Sequence, residues 1–448
     1  MSFLSTILFV SLAVTSYAKP VPLLPRQTGG QSLNIKFDIK DGNSYKAWIT
    51  GLSYGSPVMV TASGQIYTDQ PGANLPSSLA IDTSQGVTIP SYLAGARVFI
   101  TTGDSLGIAK SGAIQEPSAS NPSGAAFNQR WGIAEFTTQT GVSFANPSYV
   151  DFMGLPVGVS MGGGTAQGAT STAVDDACSF LSTKGDAWSA LCVGDGAGKR
   201  VLSPTQSQGG GLDKFWDDYI EAVWLKYAST KLTIDTRTWG LVECGVSGES
   251  MTCTQDDVPF GKPTSADVWG CHSGTFSTAV GGDVHKAIIP ILCAGFHRGT
   301  LLLEGGEKQP APQSMHYTDE KGGNWYCKAV KDNESDGRGY CFPYDDVHVE
   351  GEETAGVVTT QDLSGGLTII VGGSAGGGDQ TTSAAATTSQ KQVVSTGPTV
   401  TTDATTPPPA PSESATTTET TTTNEVKMRR ECTPKFRQRR RRDDVVKA

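Results

Sequence analysis

Short runs of alternating or β-branched residues, separated by Gly, Pro and Ser, most constrain what this chain can fold into. Four early runs read SLNIKFDIK, YKAWITGL, SPVMVTAS and ARVFITT, and a later one reads LTIIVGG. Each has the length and composition of one strand and is bounded by turn residues. Together with 54 glycines in 448 residues, the pattern predicts a mainly β architecture, an antiparallel sandwich or barrel.

Later segments mix helices with strands. Residues 213–229 form the clearest helical pattern, because apolar residues recur at steps of three and four and acidic residues precede Lys226, as the helix dipole favours. We expect its aromatic rings to pack into a core. Further helices are predicted over residues 171–183 and 285–297, and strands over 231–243 and 267–271. These patterns predict a β-rich half and a mixed α/β half, with a groove between them.

Cysteines occur only from residue 178 onward, after the first third of the chain. Residues 4–14 form an apolar run that ends before Ser16-Tyr17-Ala18, a pattern typical of a secretory signal peptide. Secretion favours disulfides, and the absence of a CxxC or CxxH spacing argues against zinc. Eight cysteines allow 105 pairings, of which pairing of sequence neighbours is the simplest. That pairing joins Cys178 to Cys192, Cys244 to Cys253, Cys271 to Cys293 and Cys327 to Cys341.

The composition divides the chain into segments. We predict a signal peptide over residues 1–18, a pro-segment or linker over 19–30, a folded domain over 31–373, a Ser/Thr-rich stalk over 374–424 and a basic tail over 425–448. The stalk and tail contain no apolar stretch long enough to cross a membrane. Asn333 begins the sequon Asn-Glu-Ser and is predicted to be glycosylated in a surface loop. The leftover Cys432 lies in the tail.

Two carboxylates within residues 131–161 stand in segments that otherwise read as strand. Glu135 and Asp151 are sixteen residues apart, and a hairpin centred near Ser143 would place them opposite one another on one face. Like charges that face one another across a strand pair are destabilising. The pair therefore indicates either a function that requires two acids or two solvated acids on the outer face of a sheet.

Glycoside hydrolysis is a chemistry that requires two such acids. One protonates the leaving oxygen, and the other activates water or attacks the sugar. Trp131, Ile133 and Phe136 are predicted to desolvate Glu135 and raise its pKa, which favours the acid role. Asp151 is then the base.

The pattern of Glu135, Thr137, Asn146, Ser148, Val150-Asp151-Phe152 and Leu155-Pro156 resembles the active-site segment of glycoside hydrolase family 64. These are endo-β-1,3-glucanases that include the laminaripentaose-producing type, and they share a superfamily with thaumatin-like proteins. The resemblance extends over about residues 34–373. It implies a thaumatin-like β-sandwich or barrel subdomain and a smaller mixed α/β subdomain that flank a wide groove.

The same resemblance implies an inverting mechanism on β-1,3-glucan, with Glu135 as general acid and Asp151 as general base. It also implies that Thr137, Phe144 and Ser148 line the sugar groove. Gln139 and Phe144 stand where the family pattern has Asn and Trp. A smaller stacking ring at Phe144 is expected to change subsite strength and product length.

Two other functions are compatible with parts of the sequence. A glucan-binding wall protein would keep the groove without catalysis, and loss of one acid would be its sign. A serine hydrolase would use Ser160, in the motif Gly-Val-Ser-Met-Gly. That motif requires a helix directly after the serine and a partner histidine. Small residues follow instead, His272, His285, His297 and His316 have no obvious acidic partner, and His348 follows Asp345 and Asp346 too closely.

The charge balance limits the partners. A net charge of −10 argues against nucleic acid, since binding to phosphates needs a basic face. A neutral polysaccharide is compatible with it. We expect a secreted monomer, associated with a cell wall in some settings, that needs no cofactor and no metal.

Overall fold

The computed structural model describes residues 31–68, 79–110, 114–207, 211–319 and 322–373. The predicted signal peptide, linker, stalk and basic tail, together with Cys432, lie outside the described residues. None of the helices within the described ranges is long and apolar enough to cross a membrane.

The architecture is mainly β, as predicted, and the α-helices of the described residues all lie after residue 172. The strands are β1 (Leu33–Ile39), β2 (Lys46–Ser53), β3 (Ser56–Val60), β4 (Ile66–Thr68), β5 (Ile81–Asp82), β6 (Val87–Ile89), β7 (Ala94–Thr101), β8 (Ala109–Lys110), β9 (Ile114–Gln115), β10 (Trp131–Thr137), β11 (Ser143–Ser148), β12 (Phe152–Met153), β13 (Val157–Met161), β14 (Gly164–Ala166), β15 (Cys192–Val193), β16 (Arg200–Leu202), β17 (Leu232–Asp235), β18 (Leu241–Ser247), β19 (Ser250–Cys253), β20 (Phe260–Gly261), β21 (Lys308–Gln309), β22 (Val358–Thr360) and β23 (Leu367–Val371). The α-helices are α1 (Ala173–Ser182), α2 (Asp186–Ser189), α3 (Asp217–Tyr227), α4 (Ser265–Gly270), α5 (Asp283–His297) and α6 (Trp325–Asn333).

Two sheets share one core in the β-rich half. The larger has the order β22-β11-β10-β7-β2-β3-β4, with β5 also paired to β2, and the smaller has the order β14-β13-β23-β1-β6. Val98 and Ala134 of the larger sheet and Ile35 and Ile369 of the smaller belong to one buried cluster. The early runs predicted as strands correspond to β1, β2, β3 and β7, and the late run to β23.

A second core holds the helices and the cysteines of the described residues. Its cluster includes Trp216, Tyr219, Trp224 and Tyr227, all nearly inaccessible to solvent. The prediction that the rings around α3 pack into a core is confirmed. The sheet β20-β19-β18-β17-β21 packs here, while β12-β16-β15 and β8-β9 form two small sheets.

Two predicted elements in this half differ from the structure. Residues 267–271, predicted as a strand, lie mainly in α4, because Thr264 and Asp267 form a reciprocal capping box that starts a helix. Residues 231–243, predicted as one strand, divide into β17 and β18. Thr236 causes that division, since its backbone N–H and its hydroxyl both donate to the carbonyl of Gly240 and close a turn.

The structure contains the four disulfides of the sequence-neighbour pairing, Cys178–Cys192, Cys244–Cys253, Cys271–Cys293 and Cys327–Cys341. The prediction that Asn333 lies in a surface loop is wrong. Asn333 is the last residue of α6, and its side-chain amide donates to the carbonyl of Ala329 at 2.9 Å. Glycosylation at this residue stays a prediction.

A buried charge cluster fixes the segment that follows α6. Asp345 has no exposed side-chain area and contacts Arg298 Nη2 at 3.1 Å and Lys331 Nζ at 2.6 Å. Lys331 also donates to the carbonyls of Gly339 and Thr354. One acid and two cations therefore hold both ends of residues 339–354.

Asp345→Asn is expected to lower the free energy of unfolding by about 3–5 kcal/mol, because two cations lose their buried counter-charge. Asp332→Asn is the matched control, since its ion pair with Lys328 is half exposed and is worth under about 1 kcal/mol. Thermal unfolding with the disulfides intact gives the comparison. An equal loss of unfolding free energy in the two variants would contradict the assigned role of Asp345.

Candidate active site

Strand register builds the site as a row of polar side chains across four strands. Arg97 on β7 lies directly opposite Thr50 on β2 and Glu135 on β10, and Glu135 lies opposite Asn146 on β11. Directly opposed residues of paired strands project from the same face of a sheet. Thr50, Arg97, Glu135 and Asn146 therefore share one face, and Ala134 and Phe136 project into the core on the other.

The predicted pairing of Glu135 with Asp151 is wrong. Glu135 faces Asn146, because the hairpin turns over residues 138–142 rather than around Ser143. Ser143 is already the first residue of β11, and its hydroxyl accepts from the backbone N–H of Gln139 at 3.2 Å. Asp151 instead lies in the bend between β11 and β12, where its carbonyl accepts from the backbone N–H of Ser203.

A guanidinium brings the two acids together despite this register. Arg97 Nε donates to Glu135 Oε1 at 3.0 Å, and Arg97 Nη1 lies 3.3 Å from Asp151 Oδ2. The same Nη1 donates to Glu116 Oε2 at 3.1 Å. The exposed fraction of the side chain is 13% for Arg97, 21% for Glu135, 25% for Asp151 and 35% for Glu116. Three carboxylates thus surround one largely buried cation at the surface.

Neutral donors orient two of these carboxylates further. Gln206 Nε2 donates to Asp151 Oδ1 at 3.0 Å. The buried hydroxyl of Thr50 donates to Glu116 Oε1 at 2.6 Å. In both Asp151 and Glu116, one carboxylate oxygen therefore contacts Arg97 and the other accepts a hydrogen bond from an uncharged donor.

The surroundings of Glu135 shift its pKa in the direction that an acid catalyst needs. Burial is the largest effect and raises the pKa of Glu135. Arg97 lowers that pKa, whereas the negative charges of Asp151 and Glu116 raise it, and the balance lies above the ordinary value. Trp131 and Ile133 lie buried on the same strand face as Glu135, as expected.

The prediction that Phe136 desolvates Glu135 is wrong. Phe136 is adjacent to Glu135 in a strand, so its side chain points to the opposite face. There it packs into the core shared by the two large sheets.

The residues predicted to line the groove lie on the face of the acids, with different exposures. Phe144 faces Thr137 across the hairpin and is half-buried. Thr137 is buried and its hydroxyl accepts from the backbone N–H of Gly95 at 2.9 Å. Ser148 is also buried, and its hydroxyl has no hydrogen-bond partner. Sugar contact by all three stays a prediction.

Tyr340 borders the site from the mixed half. The backbone N–H of Tyr149 donates to the Tyr340 carbonyl at 2.7 Å, and the Tyr340 hydroxyl donates to Asp346 Oδ1 at 2.9 Å. Burial is the main cause of a raised pKa at Tyr340, and the charges of Asp346 and Glu135 add to it.

Sequence reasoning missed five residues of this site, namely Thr50, Arg97, Glu116, Gln206 and Tyr340. Arg97 carried a signal, since it is a cation inside the otherwise apolar run ARVFI. A charge in a strand that reads as buried implies a partner charge. No local pattern distinguishes the other four from ordinary strand or loop residues.

The arrangement around Ser160 does not support a serine hydrolase. Ser160 lies in β13, which turns directly into β14 instead of a helix. Its hydroxyl donates to the carbonyl of Gly164 and accepts from Thr165 Oγ1. One expectation is corrected, because His285 does have an acidic partner. Its Nδ1 lies 2.8 Å from Asp256 Oδ2, in a buried pair of the mixed half.

Two clusters of described residues bring cysteines close to a third ligand-type side chain. Cys271 and Cys293 lie near His297, and Cys327 and Cys341 lie near Asp345. In both clusters the sulfurs form a disulfide, whereas metal binding requires thiolates.

Comparisons with known proteins find relatives in sequence and in fold. The sequence profile of glycoside hydrolase family 64, described as beta-1,3-glucanase, matches residues 31–371. A glucan endo-1,3-beta-glucosidase of Cellulosimicrobium cellulans is 26% identical over 281 residues, 59% of this chain and 50% of the relative. One of Arthrobacter sp. (strain YCWD3) matches with the same identity and coverage. The chain thus spans about half the length of these curated relatives.

Solved structures share the fold. A laminaripentaose-producing beta-1,3-glucanase in complex with laminaritetraose matches with a TM-score of 0.63 and 22% identity, over 78% of this chain and 99% of that one. A family 64 beta-1,3-glucanase domain from Clostridium beijerinckii matches with a TM-score of 0.63 and 21% identity over the same shares. At these identities the match establishes a common fold.

Arg97→Gln is expected to lower the free energy of unfolding at pH 7 by about 1–3 kcal/mol, since three carboxylates lose a charged donor and repel one another. The loss should shrink toward pH 4. Glu135, whose pKa is raised, then takes up a proton and the repulsion falls. Thermal unfolding at the two pH values measures the difference.

Arg130→Gln serves as the control, because Arg130 has only a 3.8 Å contact with Asp41 at a more exposed position. A destabilisation by Arg97→Gln that does not change with pH would argue against mutual repulsion of the three acids.

Proposed function

Since the family profile covers most of the chain, this protein belongs to the glycoside hydrolase family 64 beta-1,3-glucanases, and we propose that it cleaves internal β-1,3-glucosidic bonds of β-1,3-glucan with inversion. One observation carries the proposal. Glu135 and Asp151 approach a single guanidinium on an accessible sheet face, and the pKa of Glu135 is raised. The curated relatives that the chain resembles are glucan endo-1,3-beta-glucosidases.

The two acids have complementary tasks in this mechanism. Glu135, whose pKa is raised, is the acid, and its protonated form donates the proton to the glycosidic oxygen as the bond to the anomeric carbon breaks. Asp151 accepts a proton from the water that attacks the same carbon from the other side. The product carries the inverted anomeric configuration. Exchange of one proton with solvent at each acid restores the starting state.

Arg97 contacts both acids, and we propose that it holds them at the spacing that inversion requires. An inverting pair needs carboxyl groups roughly 6.5–9.5 Å apart, with room for one water. Glu135 contacts Nε of the guanidinium, and Asp151 contacts Nη1. The cation therefore lies beside both carboxylates and offsets their mutual repulsion. Gln206 holds the second oxygen of Asp151 and fixes its direction.

A wide groove of the thaumatin-like type is proposed for the polymer. Two observations support it. Glu135 lies on the face of a large sheet in the β-rich half, and Gln206 and Tyr340 approach the acid pair from the mixed half. A protein with the same fold was solved with laminaritetraose bound.

Secretion is proposed as well, together with association with a cell wall. The four disulfides support it, because such bonds persist mainly in oxidising compartments.

Glu135→Gln and Asp151→Asn are each expected to reduce reducing-sugar release from laminarin by about 10²–10⁴-fold, since each removes one proton-transfer group. The comparison uses only variants whose melting temperature equals that of the wild type. Proton NMR during the first turnovers should show the α-anomer at the new reducing end of the wild-type product. A first-formed β-anomer would refute inversion. A wild-type protein that binds laminarin without cleaving it would instead indicate a non-catalytic glucan-binding protein.

Phe144→Ala is expected to raise the KM on long laminarin about 2- to 10-fold, the equivalent of about 0.5–1.5 kcal/mol of lost ring stacking. Phe144→Tyr keeps the ring and should behave like the wild type. The residue is half-buried and faces the acid side of the hairpin. A KM equal to that of the wild type would show that its ring does not contact the glucan.

A further inference from the structure

We propose that Glu116 is a positioning residue for the acid pair, and that it keeps Arg97 shared between carboxylates instead of committed to Glu135. The inference rests on the proposed function, since it concerns the acid and base of the same reaction. Glu116 lies just after β9, outside the strands that carry Arg97 and Glu135.

Contacts at both oxygens fix the position of Glu116. Oε1 accepts from the buried hydroxyl of Thr50 at 2.6 Å, and Oε2 accepts from Arg97 Nη1 at 3.1 Å. Thr50 is only 3% exposed, so it provides a fixed anchor. The Glu116 carboxylate is therefore oriented toward the guanidinium.

Glu116 and Asp151 share one nitrogen of Arg97. Nη1 lies 3.1 Å from Glu116 Oε2 and 3.3 Å from Asp151 Oδ2. Contact with Glu135 occurs at Nε. Glu116 thus draws the guanidinium toward the side of Asp151 and competes with Glu135 for its charge.

The titratable and charged groups that act on Glu135 come from four elements. They are Arg97 on β7, Glu116 after β9, Asp151 after β11 and Tyr340 after α6. Arg97 lowers the pKa of Glu135, and Glu116 raises it. Without the charge of Glu116, the attraction of Arg97 for ionised Glu135 is less opposed, so the pKa of Glu135 should fall.

A role in stability alone would leave the titration of Glu135 unchanged. Glu116 is 35% exposed at its side chain, and ion pairs at such sites contribute little to folding. The two roles therefore differ in the pH dependence of the reaction.

Glu116→Gln tests the proposal, because glutamine keeps the acceptor for Thr50 and removes the charge. We expect the alkaline limb of the kcat/KM profile on laminarin to move to lower pH by roughly half a unit or more. Asp104→Asn is the control, since it removes one negative charge at an exposed pair with Lys46 and should not move the limb. Thr50→Val should shift the limb in the same direction, and the double variant should add little to Glu116→Gln.

A second readout does not depend on activity. Protein labelled with 13C at the glutamate carboxyls gives a Glu135 resonance, assigned by its loss in Glu135→Gln, whose titration midpoint should fall in Glu116→Gln. If the wild type does not cleave laminarin, the proposed function fails and this titration still decides the inference. An unchanged midpoint overturns it. A raised KM with an unmoved alkaline limb also overturns it, since Glu116 would then contact the substrate.

Discussion

The attraction of one arginine for several carboxylates is the interaction on which this site depends. Carboxylates as close together as Glu135, Asp151 and Glu116 repel one another, and partial burial strengthens the repulsion by lowering the local dielectric. Arg97 offsets it with donors that point in different directions. Strand register places Arg97 beside Glu135, while Asp151 and Glu116 arrive from loops. The sheet thus supplies Arg97 and Glu135 in a fixed register, and the loops supply the other two acids.

Local patterns predicted the strands, the helix core and the disulfide pairing, since alternation, helical periodicity and sequence proximity act over short distances. The register of the hairpin was not predictable from the two acids. A contact between Ser143 and Gln139 closes its loop early and leaves Asp151 beyond the strand. A capping box overrode the strand pattern at residues 267–271. Glu116 reaches the site only through tertiary folding, which no single-sequence pattern encodes.

Each half of the protein provides part of the proposed chemistry. The β-rich half carries the two acids, whereas Gln206 and Tyr340 come from segments that pack with the helices. The buried cluster of Asp345, Arg298 and Lys331 holds the segment that includes Tyr340. A change in this cluster lies far from the acids in sequence, yet it reaches them through the backbone bond between Tyr149 and Tyr340. The mixed half and the segment that carries Asp151 are therefore directly connected.

The place of β23 in the smaller sheet determines the order in which the domain can assemble. β23 lies between β13 and β1, parallel to β1 with Ile35 paired to Leu367, and antiparallel to β13. During synthesis the ribosome delivers β1 and β13 long before β23. Pairing across such a sequence separation has a high loop-closure entropy and is slow. The nascent chain therefore exposes two unpaired apolar edges, which chaperones or early contacts must shield until the final strand joins them.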